Sequence, residues 1–272
     1  MWAQLRTSDT DASAGTCEAL EKIVPAIRRR FPKAKILVRA GSGFSRETIF
    51  ACCERQKGVY HLIGMARNPR LKTLVAPALM RAQERLCLTG VPCREFLESE
   101  YSTLNSWSCA RRMLCKAEAL AGMKSNPRFV TTNIPAKGIS NGKGGLLMSG
   151  DVQSLYEEEY RARGNAENQL KQTVLDLNAD RTSSSWLASN QMRLWFSTLA
   201  YLLLERVRKI GLKGTEWAKA SLGTLRLRVL KVAACVRVSV RRIHVALSTA
   251  FPLQGVFRQA ARRLGEAALE SH

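Results

Sequence analysis

Four polar residues between positions 160 and 171 have types and spacing that suit phosphate chemistry. Tyr160, Arg163 and Glu167 stand at i, i+3 and i+7, and Lys171 follows one turn later, so a regular helix presents all four on one side. The carboxylate is a ligand for a divalent cation, and the guanidinium, ammonium and phenol groups bind phosphate oxygens. A solvated helix with ordinary ion pairs has the same spacing, and spacing alone favours that second interpretation.

A strand, helix, strand pattern near the start of the chain predicts the framework that positions these residues. A helix is expected at residues 16–30, where apolar residues recur at helical spacing. Lys35–Gly41 and Val59–Ala66 are short β-branched runs, and between them Ser45 caps a helix that extends to about Gln56. Two strands joined through a helix predict a right-handed parallel crossover, and therefore an α/β fold.

The rest of the chain contains a predicted β-rich part followed by a predicted helical part. Short alternating segments after Arg70 predict β-hairpin material beside the main sheet, and two helices follow, Asp151–Leu177 and Ser184–Ile210. The second is apolar on most of its surface and is expected to be buried. The predicted divisions are 1–69 (sheet core), 70–145 (β-rich insertion), 146–210 (core helices with Glu167) and 211–272 (basic region).

The charge balance points to a polyanionic partner. The chain has 43 Lys and Arg against 22 Asp and Glu, a formal net charge of +21, and so large a surplus repels itself in the compact state. Nucleic acid is the first candidate, an anionic membrane surface the second and acidic proteins the third. The most apolar stretch, Leu194–Leu204, is far shorter than the roughly 20 residues of a spanning helix. With no secretory signal at the N-terminus, a cytoplasmic protein without membrane association is expected.

The basic region is the second predicted contact with nucleic acid. Between Arg206 and Arg263 there are fourteen Lys or Arg and one acid, Glu216. Cys235–Leu247 alternates apolar and basic residues, the pattern of a strand with one cationic face. The predicted DNA contacts in the basic region are Arg237, Arg241 and Arg242. A solvated cationic face that serves only solubility is the alternative.

The Tyr160, Arg163, Glu167 pattern also resembles the signature around the third acid of insertion-sequence DDE transposases that carry a β-rich insertion. Further stretches resemble one subgroup of that family, and they occur in the family's order along essentially the whole chain. These stretches are Leu5–Thr16, Arg39–Glu47, Ile63–Leu71, Asn126–Asn133, Asp176–Ser184 and Asn190–Glu205.

The resemblance implies an RNase H-like sheet with three carboxylates that hold two divalent metal ions, normally Mg²⁺, for cleavage and transfer of DNA strands. Glu167 matches the third acid, and Tyr160 and Arg163 match residues that contact the backbone of the transposon end. The family's basic residue seven positions after the glutamate falls on Val174, and Lys171 is the nearest candidate to replace it.

Two departures from the family pattern predict a copy without cleavage activity. The second acid is expected directly after the first strand, where this chain has Gly41. The first acid is expected upstream of Met1, and Asp9 and Asp11 do not match it, so the resemblance predicts an N-terminally truncated copy. Glu167 alone would hold Mg²⁺ weakly. A strand that lacks its upstream neighbour would also expose an open edge.

The expected function is therefore a transposition protein that binds transposon-end DNA and is catalytically inactive. Two alternatives remain: a nucleic-acid-binding module without catalytic ancestry, and an inhibitory protein that pairs with intact transposase. The expected partners are DNA and, as a homo-oligomer, the chain itself or intact transposase. The expected location is the bacterial cytoplasm, in association with the nucleoid.

Overall fold

In a computed structural model the protein is described for residues 2–142 and 145–270, and it divides into two compact units. The sheet unit is Ser8–Asn165, and the helical unit joins Met1–Thr7 to Ala166–His272. Within the described ranges, no helix combines the length and the apolar character needed to cross a membrane.

The sheet unit contains one mixed sheet. Its strands are β1 (Ile36–Ala40), β2 (Val59–Met65), β3 (Cys93–Tyr101), β4 (Arg111–Leu120), β5 (Lys124–Ser125) and β6 (Arg128–Thr132), and its helices are α1 (Thr16–Arg30), α2 (Glu47–Glu54) and α3 (Pro69–Thr89). The strand order is β1-β2-β6-β4-β3, with β5 paired to β4. β1 and β2 are parallel and joined through α2, as the sequence pattern predicts, and the mixed sheet with its helices confirms the α/β class. The predicted Ser45 cap is wrong, since α2 begins after Arg46 and has no side-chain capping hydrogen bond.

The remaining pairings are antiparallel, and they leave β1 at an edge. β6 pairs with β2 and β4, and β3 with β4. A separate small ladder joins β7 (Ile139–Ser140) to β8 (Leu146–Met148). Among the described strands, β1 pairs with β2 alone, so its other side is an open edge, as expected from the sequence.

Buried side chains along β4 point alternately to the two faces of the sheet, so the sheet has a hydrophobic core on each face. Met113 packs in one cluster with Leu71 of α3, whereas Leu114 packs in another with Leu62 and Leu155. Neighbouring residues of a strand point to opposite faces, so α3 covers one face and the segment after Asp151 covers the other. All five of these side chains are fully buried, so packing fixes the position of the segment that carries Tyr160 and Arg163.

Residues 69–89 are helical, and the expectation of β-rich material from residue 70 onwards is wrong for this part. The Asn68 side chain accepts a hydrogen bond from the Leu71 N–H (2.9 Å), and Pro69 occupies the first turn. Pro77, inside the helix, obscures the helical pattern of Leu71 and Val75 in the sequence. The strands that follow α3 extend the main sheet.

The chain from Val152 to Leu177 is helical throughout, but it is not the single regular α-helix that the sequence predicts. It consists of α4 (Val152–Ser154), a π-helical turn (Leu155–Tyr160), a 3-10 turn (Arg161–Arg163) and α5 (Gly164–Leu177). Asp151 caps its start, as predicted, by accepting from the Ser154 N–H at 2.9 Å. Because π and 3-10 turns change the rotation per residue, regular i, i+3, i+7 spacing does not hold here. The division between the units falls within α5.

The helical unit has a core of its own. After α5 it contains α6 (Leu187–Arg206), α7 (Leu222–Thr224), β9 (Ala234–Val238), β10 (Ile243–Leu247) and α8 (Gln254–Leu269). The expectation that α6 is buried is wrong: Trp195, Phe196 and Leu199 are 53%, 64% and 52% exposed. Its buried stripe contains Tyr201 and Leu204. A helix that is apolar around most of its circumference has more apolar surface than this core covers.

Residues 235–247 form a hairpin, which corrects the expectation of a single strand. β9 and β10 pair antiparallel, and Ser239 closes the turn between them. The Ser239 N–H donates to the Arg242 carbonyl at 2.9 Å, and the Ser239 hydroxyl accepts from the Arg242 N–H at 3.1 Å. Alternation of apolar and basic residues continues through the turn and conceals it in the sequence. Arg237 lies on β9 opposite His244, and Arg241 and Arg242 lie in the turn.

Candidate active site and nucleic-acid interface

Tyr160 and Arg163 come together in the sheet unit. The Arg163 guanidinium lies over the Tyr160 ring at 5.2 Å from the ring centroid, and the Tyr156 ring lies 5.6 Å from the same ring. Both Tyr160 and Arg163 are half-buried. A guanidinium beside a phenol provides several donors for phosphate oxygens, and partial burial strengthens their attraction for an anion.

The Tyr160 hydroxyl packs against the backbone of Gly64 in β2. A Cβ at Gly64 would stand 2.3 Å from Tyr160 Oη, closer than any real contact. Gly64 is buried and its φ is not positive, so the glycine is needed for space and not for backbone conformation. Sequence reasoning missed this residue, although a lone glycine inside a β-branched strand is the usual sign of a close approach.

Gly41 follows β1 directly and faces Arg163. Its φ of −79° and ψ of 179° are open to any residue. A Cβ there would lie 3.4 Å from Arg163 Nη1, an ordinary contact with a flexible side chain. The expected position of the second acid therefore has room for a Cβ beside a guanidinium, but the glycine offers no side-chain ligand atom.

Arg39, near the end of β1, holds the same helical segment. Its Nη1 donates to the Glu159 carbonyl at 2.7 Å and lies 3.9 Å from Glu159 Oε2. This contact joins β1 to the residue before Tyr160. Sequence reasoning missed it because 120 residues separate the two partners.

Glu167 and Lys171 belong to the helical unit. Glu167 lies in the first turn of α5, and both side chains are exposed. Val174, at the position of the family's later basic residue, is 36% exposed. The three predicted contacts of the basic region, Arg237, Arg241 and Arg242, are exposed in the hairpin of the same unit.

A buried ion-pair network fixes α2, the helix that follows the turn after Gly41. Arg111, at the start of β4, has a side chain only 3% exposed. It donates to Glu54 at 2.7 and 2.9 Å and to Glu47 at 2.7 and 3.1 Å. The fully buried His61 places its Nε2 3.2 Å from Glu54 Oε1. The network ties α2 to β2 and β4.

This network predicts a loss of stability in acid. Hydrogen bonds from His61 and Arg111 lower the pKa of Glu54 from 4.5 to about 2. The resulting stabilisation is complete above about pH 4.5 and is lost as the pH falls towards 2, because the unfolded carboxyl binds its proton first. Urea unfolding between about pH 5 and about pH 3 should show this decline, and Glu54→Gln should make it shallower. Equal slopes for the two proteins would contradict the assignment.

The comparisons with known proteins identify the family. The sequence model of the family described as Transposase DDE domain group 1 matches residues 1–269. The chain belongs to the DDE transposase family. Members are transposition proteins that generally use divalent metal ions, and the mixed α/β fold agrees with that membership. Neither the curated proteins nor the solved structures contained a match.

The donors present do not fit the metal ions that a DDE transposase implies. Within residues 2–142 and 145–270, no group of three or more His, Cys, Asp and Glu is arranged to hold a metal ion. The loop carboxylate Asp11 accepts hydrogen bonds from Ser13, and from Arg46 at 2.8 Å, and these contacts lower its pKa. Because Gly41 adds no side-chain oxygen either, the donors among the described residues do not form the carboxylate set that two-metal cleavage requires.

Proposed function

We propose that this DDE transposase relative binds DNA without cleaving it. The observation that carries the proposal is position 41, where a glycine faces the Arg163 guanidinium at the expected place of an acid. Two-metal cleavage needs several carboxylate oxygens in fixed positions. Glu167 is proposed as the third acid of the family set, and Mg²⁺ as the ion that it would hold weakly.

The proposed DNA contacts are cationic groups and one phenol. In the sheet unit they are Tyr160 and Arg163, supported by their mutual contact and partial burial. In the helical unit they are Lys171, Arg237, Arg241 and Arg242, supported by exposure and by the excess of positive charge. A surplus of this size favours phosphate contacts over base recognition as the main source of affinity.

Binding to duplex DNA should weaken steeply with salt, and Arg163→Gln should reduce that dependence. Log affinity falls with a slope of about −0.9 per phosphate neutralised, so loss of one contact should lower the slope by about 0.9. Fluorescence anisotropy titrations at low to physiological salt concentration measure this slope. Arg85→Gln is the matched control, since it removes an exposed charge from α3 on the opposite face of the sheet. Equal slopes for the two variants would exclude Arg163 as a contact.

Strand cleavage should stay at background with Mg²⁺ or Mn²⁺. The substrate is labelled duplex DNA that carries the sequences flanking the gene, and products are resolved on a denaturing gel. Gly41→Asp should not restore cleavage by itself, because its carboxylate would pair with Arg163 and further metal ligands would still be needed. Specific nicking by the unmodified protein would overturn the proposal of inactivity.

A second candidate function is inhibition of an intact transposase. The open edge of β1 favours it, because unpaired backbone groups at a sheet edge accept a strand from another chain. Co-purification with an intact family member, lost on Val38→Pro in β1, would support this candidate. Recovery of equal amounts with and without the proline would count against it.

A further inference from the structure

Four cations outside the proposed DNA contacts line a groove in the sheet unit. The groove has a volume of about 630 Å³ and is lined by Arg28, Lys33, Lys35 and Lys57. Ser140 and Asn141 add a hydroxyl and an amide to its wall. No acidic side chain lines it among the residues that the structure describes, and none of the four cations pairs there with a carboxylate.

The parallel pairing of β1 and β2 brings these cations together. Ile36 lies opposite Val59 in the register, so the residues just before the two strands are neighbours. Gly58, with a φ of +73°, turns the chain into β2, and its carbonyl accepts from the Ile36 N–H at 2.9 Å. The groove therefore forms at the N-terminal ends of the two strands, whereas Gly41 follows the C-terminal end of β1.

The cationic groups converge on one point. Arg28 Nη2 and Lys35 Nζ lie 3.7 and 3.8 Å from the place where a Cβ of Gly58 would stand. The two cations are therefore at most about 7.5 Å apart, and like charges at such a separation repel each other unless an anion lies between them. Arg28 Nη2 also donates to the Lys57 carbonyl, and Arg28 Nε has no hydrogen-bond acceptor among the described residues. The guanidinium is thus held in place beside Lys57, and its buried Nε–H is left without an acceptor.

The end of a helix accounts for only part of this cluster. The negative end of the α1 dipole favours Arg28 and its basic neighbours in the last turn. Lys35 comes from the approach to β1 and Lys57 from the turn that follows the C-terminal end of α2, so the α1 dipole does not account for either. Their convergence without a counter-charge therefore requires a different explanation, and an anionic ligand supplies it.

We propose that this groove binds a phosphate group of the DNA backbone. The inference rests on the proposed DNA binding and adds a second contact to it. The groove and Gly41, which faces Arg163, lie at opposite ends of β1. Six residue steps of about 3.3 Å separate Lys35 from Gly41, a distance of about 20 Å. A duplex rises about 3.4 Å per base pair, so one DNA segment along β1 would cover both contacts within about six base pairs.

The test compares two double variants that remove equal charge. The groove variant, Lys35→Gln/Lys57→Gln, removes two cationic side chains from the groove. The control variant, Lys72→Gln/Arg85→Gln, removes two exposed cationic side chains from α3. Fluorescence anisotropy titrations use a duplex longer than about six base pairs and measure the slope of log affinity against log salt concentration. The magnitude of that slope should fall by at least about 0.9 for the groove variant and stay unchanged for the control. Circular dichroism checks that both proteins keep their helix content, as expected for exposed side chains.

Inorganic pyrophosphate distinguishes the backbone of DNA from a free phosphate. The proposal is supported if only the groove variant shows the lower slope of log affinity against log salt concentration. It is overturned if both variants bind DNA equally, whereas the proposed function then stands. A further outcome is that pyrophosphate raises the melting temperature of the unmodified protein but not that of the groove variant. If the groove variant then binds DNA as tightly as the unmodified protein, the groove binds a free phosphate ion and the proposal is overturned. If the unmodified chain does not bind DNA, the proposed function fails first.

Discussion

Replacement of Arg111 by methionine is expected to lower the free energy of unfolding by about 3–5 kcal/mol. Methionine keeps much of the volume of the side chain but removes the charge that Glu47 and Glu54 share. Both carboxylates are only about a quarter exposed, at 24% and 27%. They would remain close together without a counter-charge, and this accounts for most of the loss.

The aromatic neighbours of Arg111 strengthen the expectation. The guanidinium carbon lies 4.9 Å from the Phe50 ring centroid and 5.3 Å from that of Trp107. These contacts are attractive for a cation and are weakened when a neutral side chain takes its place. The loss should therefore exceed that of an ordinary surface ion pair.

Urea unfolding at neutral pH measures the effect, and two further variants control it. Arg81→Met breaks the exposed pair with Glu95 (2.9 Å) and should cost at most about 1 kcal/mol. Glu47→Gln/Glu54→Gln in the Arg111→Met background should recover part of the loss, because no unpaired charge is then buried. A loss below about 1 kcal/mol for Arg111→Met alone would show that the network does not stabilise the fold.

The Arg111 network illustrates which features the sequence cannot reveal. Its partners are 57 and 64 residues away along the chain, and no periodic pattern links an arginine at the start of one strand to two acids on a distant helix. β1, α2 and β2 were predictable because their signals are local: β-branched runs, a turn and a helical spacing. Pairing across the sheet depends on topology, which those signals do not contain.

The predicted site shows the same limit. The Tyr160 and Arg163 pattern was visible in the sequence, but their contact arises through a π-helical turn followed by a 3-10 turn, which regular spacing does not describe. The apolar sequence of α6 indicated burial, yet the core of the helical unit covers only one stripe of that helix. Composition reports how much apolar surface a helix has, and the size of the neighbouring core decides how much of it is covered.

Replacement of Gly64 by alanine is expected to destabilise the sheet unit by about 1–3 kcal/mol, the usual cost of a forced contact in a packed region. The new methyl group would meet Tyr160 Oη at 2.3 Å, whereas Tyr160 Cζ and the Ser42 nitrogen would stand at an ordinary 3.4 Å. The strain is therefore concentrated on one hydroxyl. The Tyr160 ring must move to relieve it, and its contact with Arg163 should be disturbed as well.

Tyr160→Phe provides the decisive second variant, because it removes only the atom in conflict. In the Gly64→Ala background it should restore stability, with a coupling energy of about 0.5–3 kcal/mol in a double-mutant cycle. Gly43→Ala is the matched control, since a Cβ there meets nothing within 4 Å, and it should change stability by at most about 0.5 kcal/mol. Additive effects of Gly64→Ala and Tyr160→Phe would mean that the hydroxyl does not rest on Gly64. A positive coupling accompanied by weaker DNA binding in Gly64→Ala would link this small residue to the position of Tyr160, and through it to the proposed phosphate contact.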